Sequence, residues 1–153
     1  LYEQKVTNME LIFKLIVYFT CCELIFGHID LQCSCGIGYN STLSAYFPDY
    51  QSGVLRDVTD MKGKKLRTLQ DYLDGRADYV TGAMDRHLNL TYGTSVCIPE
   101  LNQHFRRPID IQVRDTDPEL DGLGLSRIDI CVRTEADSYD HSVNTRIRVV
   151  VQR

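Results

Sequence analysis

Three segments toward the C-terminus alternate apolar and polar residues with a period of two. "PIDIQVR" sets Ile109, Ile111 and Val113 on one face, "RIDICVR" does so with Ile128, Ile130 and Val132, and "TRIRVVVQR" with Ile147, Val149 and Val151. Successive side chains of a strand point to opposite faces, so this period marks strands with one buried face. Three further strand segments lie upstream. "TLSAYF" (42–47) stops at Pro48-Asp49, "YVTGAM" (79–84) at Asp85, and "GTSVCI" (93–98) at Pro99. "KLRTLQDYLDG" (65–75) places Leu66, Leu69, Tyr72 and Leu73 at helical spacing, with Gly75 as the stop. "TEADSY" (134–139) reads as a second short helical turn. Six strands without a strand–helix–strand rhythm predict a mainly β fold, a small mixed-connection barrel or sandwich, with one or two short helices.

The first 27 residues differ in character. "MELIFKLIVYFTCCELIFG" runs apolar from Met9 to Gly27, broken by Lys14, a few polar residues and Glu23. It is shorter and more interrupted than the ~20 apolar residues of a membrane span. A charged lead, an apolar centre and a small closing residue predict a secretory signal peptide over 9–27. Residues 1–8 then lie upstream of the natural start, and 28–153 form one secreted, extracellular domain with no stable membrane span after cleavage. Of six cysteines, Cys21 and Cys22 leave with the signal, and Cys33, Cys35, Cys97 and Cys131 remain as disulfide candidates. A Cys33–Cys35 bridge closes a very strained loop, so two pairings stay open, each tying the N-terminal segment to two later strands. A lone C-x-C with its other thiols far away is a weak zinc signature, and no metal or cofactor is expected. Asn40-Ser41-Thr42 and Asn89-Leu90-Thr91 are glycosylation sequons.

The net charge of −4, with scattered Lys and Arg, argues against nucleic acid or an anionic membrane as the partner. The densest basic run, "KGKKLR" (62–67), reads as a solvated turn, and the domain is expected to be monomeric. The apolar fraction of 43% and charged fraction of 25% belong to a globular protein.

"VRDTDPELDGLGLSRIDICVR" carries the chemistry. Asp129 sits inside an apolar alternation, on the face opposite Ile128 and Ile130, with Arg127, Cys131 and Arg133. Four fragments in order, "TLSAYFPD", "AMDRHLNLTYGTSVCI", "VRDTD…LSRIDICV" and "RIRVVV", resemble the three-aspartate (3D) domain of bacterial cell-wall proteins and of the membrane-bound lytic murein transglycosylase A family. The resemblance covers roughly residues 41–151. It implies a six-stranded double-psi β-barrel, with the three acids at Asp85, Asp115 and Asp129 and Asp129 as the catalytic one. Tyr46, Thr116 and Arg127 are then substrate-binding candidates. The chain departs from the family in its acidic "DPELDG" turn and in the insertion "DMKGKKLRTLQDYLDGRADY".

The implied partner is a polysaccharide, peptidoglycan or another β-1,4 glycan. The implied reaction is lytic cleavage by a single acid/base, in which the sugar's own C6 hydroxyl closes a 1,6-anhydro ring. Glycosidic cleavage needs a proton for the leaving oxygen, and an Asp must hold one well above a pKa of about 3.9 to supply it. Partial burial and clustered like charges push in that direction, whereas pairing with Arg127 or Arg114 opposes it. Sugar rings stack on aromatic faces, and with no Trp the platforms are Tyr46, Phe47, Tyr50 and Tyr92. The rival reading is a non-catalytic carbohydrate-binding or wall-loosening barrel of the expansin-like kind, in which the acids only bind. Calcium is disfavoured, because an EF-hand loop starting at Asp117 meets Ile128 at its twelfth position.

Overall fold

The structure, a computed structural model, describes residues 30–152. The expected upstream extension 1–8 and the expected signal peptide 9–27, including Cys21 and Cys22, lie outside the described residues. Among the described residues no helix is long and apolar enough to cross a membrane.

Six strands close into a barrel: β1 (Ile37–Tyr46), β2 (Val80–Ala83), β3 (Thr94–Cys97), β4 (Ile111–Asp115), β5 (Arg127–Cys131) and β6 (Thr145–Val151). Their order around the barrel is β1-β5-β2-β4-β3-β6. β1/β5 and β2/β4 pair in parallel, and the other four contacts are antiparallel. Exchanging β1-β2-β3 for β4-β5-β6 leaves this cyclic order and every pairing sense unchanged. The barrel is therefore two crossed three-strand halves, the double-psi arrangement. Closure leaves no free sheet edge, which removes the hazard that open strands carry.

The alternation read from sequence becomes the barrel interior. Ile111, Val113, Ile128, Ile130, Ile147 and Val149 are buried, and Leu43, Val80, Val96 and Ile98 join them in one cluster. Burying a side chain of this size stabilises the fold by about 1.5–3 kcal/mol, so these positions carry much of the driving force.

Three short α-helices decorate the barrel. Helix α1 (Leu69–Leu73) opens on Thr68, whose hydroxyl accepts from the Asp71 amide. Helix α3 (Glu135–Ser138) opens with a capping box of Thr134 and Asp137. Helix α2 (Pro99–Phe105) was not legible as a helix, because Pro99 ended a strand reading; proline is in fact favoured at a first helical position, where its missing N–H costs nothing. β1 also begins five residues before the segment read as a strand, because Ile37–Ser41 lie against β6 across the closing seam.

Among the described residues one disulfide forms, Cys33–Cys97, tying the segment before β1 to the end of β3. It packs with Val150, and Asn102 donates to Cys97 Sγ while accepting from the Ile109 amide. Cys131 corrects the expectation of a second bridge among these four: it is a buried free thiol. Burial pushes that thiol's pKa up, with Asp115 and Asp71 adding to the shift, so it has neither the thiolate nor the access for disulfide exchange.

Candidate functional site

A β-bulge sets Asp115 in the same lateral row as Asp129, two strands away with Ala83 between them. On β4, Ile111 and Val113 point inward, and strict alternation sends Asp115 inward as well. The β2/β4 register instead runs Gly82↔Val113 and then Ala83↔Asp115, so Arg114 is the extra residue. The bulge turns Asp115 to the other face, beside Ala83, whose opposite neighbour on β5 is Asp129. Ser44 of β1 pairs with Asp129 from the other side. One lateral row therefore reads Ser44, Asp129, Ala83, Asp115 across four strands.

The two acids are held by different cations. Asp129 is 9% exposed and accepts from Arg127 Nε at 2.9 Å and Nη2 at 3.2 Å. These residues are two apart on one strand and share a face. Burial raises the Asp129 pKa above its ordinary value, the two Arg127 bonds and the Arg127 charge oppose this, and Asp117 and Glu119 push it up again. The like charges acting on Asp129 therefore come from the 117–122 turn rather than from Asp85 or Asp115. Asp115 is 4% exposed and accepts from Arg56 Nη2 at 2.5 Å, from the Tyr46 hydroxyl at 3.2 Å and from the Thr116 amide at 2.9 Å.

Arg56 sits on a 3-10 turn, Leu55–Val58, and also donates to the Thr59 and Thr116 carbonyls. No periodicity in "VLRDVTD" pointed to it. Arg114, the other cation considered from sequence, turns away from the acids: its guanidinium lies over the Tyr79 and Tyr92 rings.

Asp85 serves another purpose. Its side chain caps the 3-10 turn Arg86–Leu88 by accepting from the His87 amide, and it accepts from the Gly124 amide at 2.9 Å. These backbone donors, led by His87, hold its carboxyl below the usual range and tie the end of β2 to the turn before β5. Asp85, His87 and Asp121 also bring ligand atoms within 4.8 Å of one another, a convergence that spacing alone did not indicate. Arg86 Nε on Asp121 and the amides on Asp85 account for this cluster without an ion.

Among the aromatic platforms, Tyr46 spends its hydroxyl on Asp115, and burial, then Cys131 and Asp115, keep its phenol protonated. Tyr92 donates to Asp60 and has Lys62 over its ring at 4.2 Å, so that face is covered. Phe47 and Tyr50 are exposed. A surface depression of about 470 Å³ lies on the β1–β6 seam, lined by Asn40, Ser41, Thr42, Glu100, Arg146, Ile147 and Arg148, with Thr42 in register with Arg127 of β5.

The fold and this row of residues define a closed six-stranded β-barrel with two buried acids, each held by its own arginine, in one row across its strands. No known protein-family model matches the chain, and no curated protein matches it.

Proposed function

We propose that this chain is a polysaccharide-active barrel of the three-aspartate kind that cleaves a β-1,4-linked, peptidoglycan-type glycan, with Asp129 as the single acid/base. The observation that carries the reading is the position of Asp129: burial makes its carboxyl easier to protonate, and the β4 bulge sets Asp115 in the same row. Protonated Asp129 donates to the glycosidic oxygen as the C1–O bond breaks. The sugar's C6 hydroxyl bonds to C1, and its proton returns to Asp129, which leaves the acid unchanged and a 1,6-anhydro end on the product. Arg127 positions the Asp129 carboxyl, and Arg56 with Tyr46 fixes the Asp115 side chain in the same row. The Cys33–Cys97 disulfide supports an oxidising, extracellular setting.

A specific observation favours the non-catalytic alternative. Both acids are paired with arginines, and an ion pair that holds Asp129 charged leaves it a binding group only. Incubating the 153-residue chain with purified peptidoglycan, beside Asp129→Asn, separates the two. Anhydro-muropeptides from the parent and none from the variant support cleavage. Equal binding by both proteins with no soluble product supports the carbohydrate-binding barrel.

A further inference from the structure

The seam between β1 and β6 carries charge that the proposed chemistry does not use. Register places Thr42 of β1 between Arg146 of β6 and Arg127 of β5, and Asn40 beside Arg148. Two strand spacings of ~4.8 Å put the Arg146 and Arg127 backbones about 10 Å apart, with Thr42 midway. Asn40, Thr42 and Ser44 alternate along one face of β1; Thr42 lines the depression and Ser44, two residues on, lies in register with Asp129.

The depression is built for a polar ligand with an acidic group. Its volume of about 470 Å³ falls within the range of small-ligand sites, roughly 300–1,000 Å³. Arg146 and Arg148 are exposed, and among the described residues no carboxylate pairs with either guanidinium. Glu100 lines the same depression, but its carboxylate accepts from the Arg148 backbone amide at 3.1 and 3.2 Å. The Arg148 side chain is pre-placed. Its stem lies over Gly38, where an added Cβ meets Arg148 Cδ at 2.7 Å, and its Nη2 donates to the Gln32 carbonyl at 2.9 Å.

Ser41 belongs to the other face. It alternates with Asn40 and Thr42 and lies in register with Ile147 of the core, so its hydroxyl, 7% exposed and without a hydrogen-bond partner, points into the barrel and not into the depression.

The geometry points to a subsite for a carboxylate-bearing sugar on the β1–β6 seam, with Arg146 and Arg148 reading the carboxylate and Asn40 and Thr42 the hydroxyls. This narrows the substrate to an acidic glycan, and to that extent rests on the polysaccharide reading. Exposed ion pairs contribute up to about fivefold each, so two arginines give about tenfold discrimination that weakens with salt.

The test is calorimetric titration of the 153-residue chain with hyaluronan hexasaccharide, which carries glucuronates, and with neutral chitohexaose. The expected result is about tenfold tighter binding of the acidic sugar, falling to parity in an Arg146→Gln/Arg148→Gln double variant. Equal affinity for both sugars, binding of neither, or discrimination that survives in the double variant overturns the proposal. Peptidoglycan cleavage without acidic preference leaves the Asp129 reading standing and removes only the subsite. Acidic preference without any glycan turnover does the reverse.

Discussion

Removing Arg127 tests the central electrostatic argument. Arg127→Met keeps most of the side-chain volume but deletes both donors to Asp129, at 2.9 and 3.2 Å. The Asp129 side chain is 12% exposed, so water replaces little of what is lost. A hydrogen bond to a charged group contributes about 1.5–3 kcal/mol, and with Arg127 itself one-third exposed the loss at pH 7 is about 2 kcal/mol. For a chain of this size that corresponds to a Tm lower by roughly 4–8 °C.

The pH dependence fixes the cause. The folded Asp129 pKa lies above its unfolded value of 3.8, so between the two the native state holds more protons than the unfolded one. Stability attributable to Asp129 is therefore full below the unfolded pKa and falls as pH rises through the folded pKa. Deleting Arg127 removes two influences that lower the folded pKa and widens this window upward. Urea unfolding followed by far-UV circular dichroism at pH 7 and pH 4 measures both effects. The variant is expected to lose about 2 kcal/mol at pH 7 and to recover most of it at pH 4, and Asp129→Asn in the same background is expected to rescue it at pH 7. An equal loss at both pH values, with no rescue, refutes the argument, because the cost is then packing rather than a stranded carboxylate.

Replacing Cys33 and Cys97 together by Ala opens a crosslink spanning 64 residues, with an expected cost of about 2–4 kcal/mol, read as the fall in Tm against the oxidised parent. Native-state alkylation followed by peptide mass mapping is expected to leave Cys131 unmodified, and urea is expected to expose it, since burial both shields the thiol and suppresses its thiolate. Asp85→Asn is expected to flatten the acid limb of the stability curve. The folded Asp85 pKa is lowered, so its contribution is present above pH 3.8 and lost as pH falls through the folded value, and a denaturation series from pH 2 to pH 6 measures it. Arg56→Met is expected to cost more than Asp115→Asn, because it strands a carboxylate 5% exposed whereas the reverse change frees a half-exposed arginine to water; paired urea titrations give the order.

Much of the barrel was legible in the chain because a strand's period is local. Ile109, Ile111, Val113, Ile128, Ile130, Ile147 and Val149 announced their burial through nothing more than the alternation of adjacent side chains, and all seven are in the core. The Asp129 orientation followed from the same parity. So did the face shared by Arg127 and Asp129, which places the bidentate pair within one strand.

What tertiary structure decided depends on groups far apart in sequence. The family resemblance grouped Asp115 with Asp129, but it is the register against β2, which bulges β4 at Arg114, that sets the two in one row. The cation on Asp115 comes from Arg56, 59 residues away on an aperiodic turn. Cys131 shares Asp129's strand face but is covered, with Tyr46, Asp115 and Asp71 close to it, so a thiol that spacing offered as a bridge partner is sealed instead. The arginine row over Thr42 exists only because β6 returns antiparallel to β1 while β5 runs parallel to it. Alternation sets which face a side chain takes. Closure of the barrel sets which neighbours it finds there, because pairing energy is earned between strands and not within them.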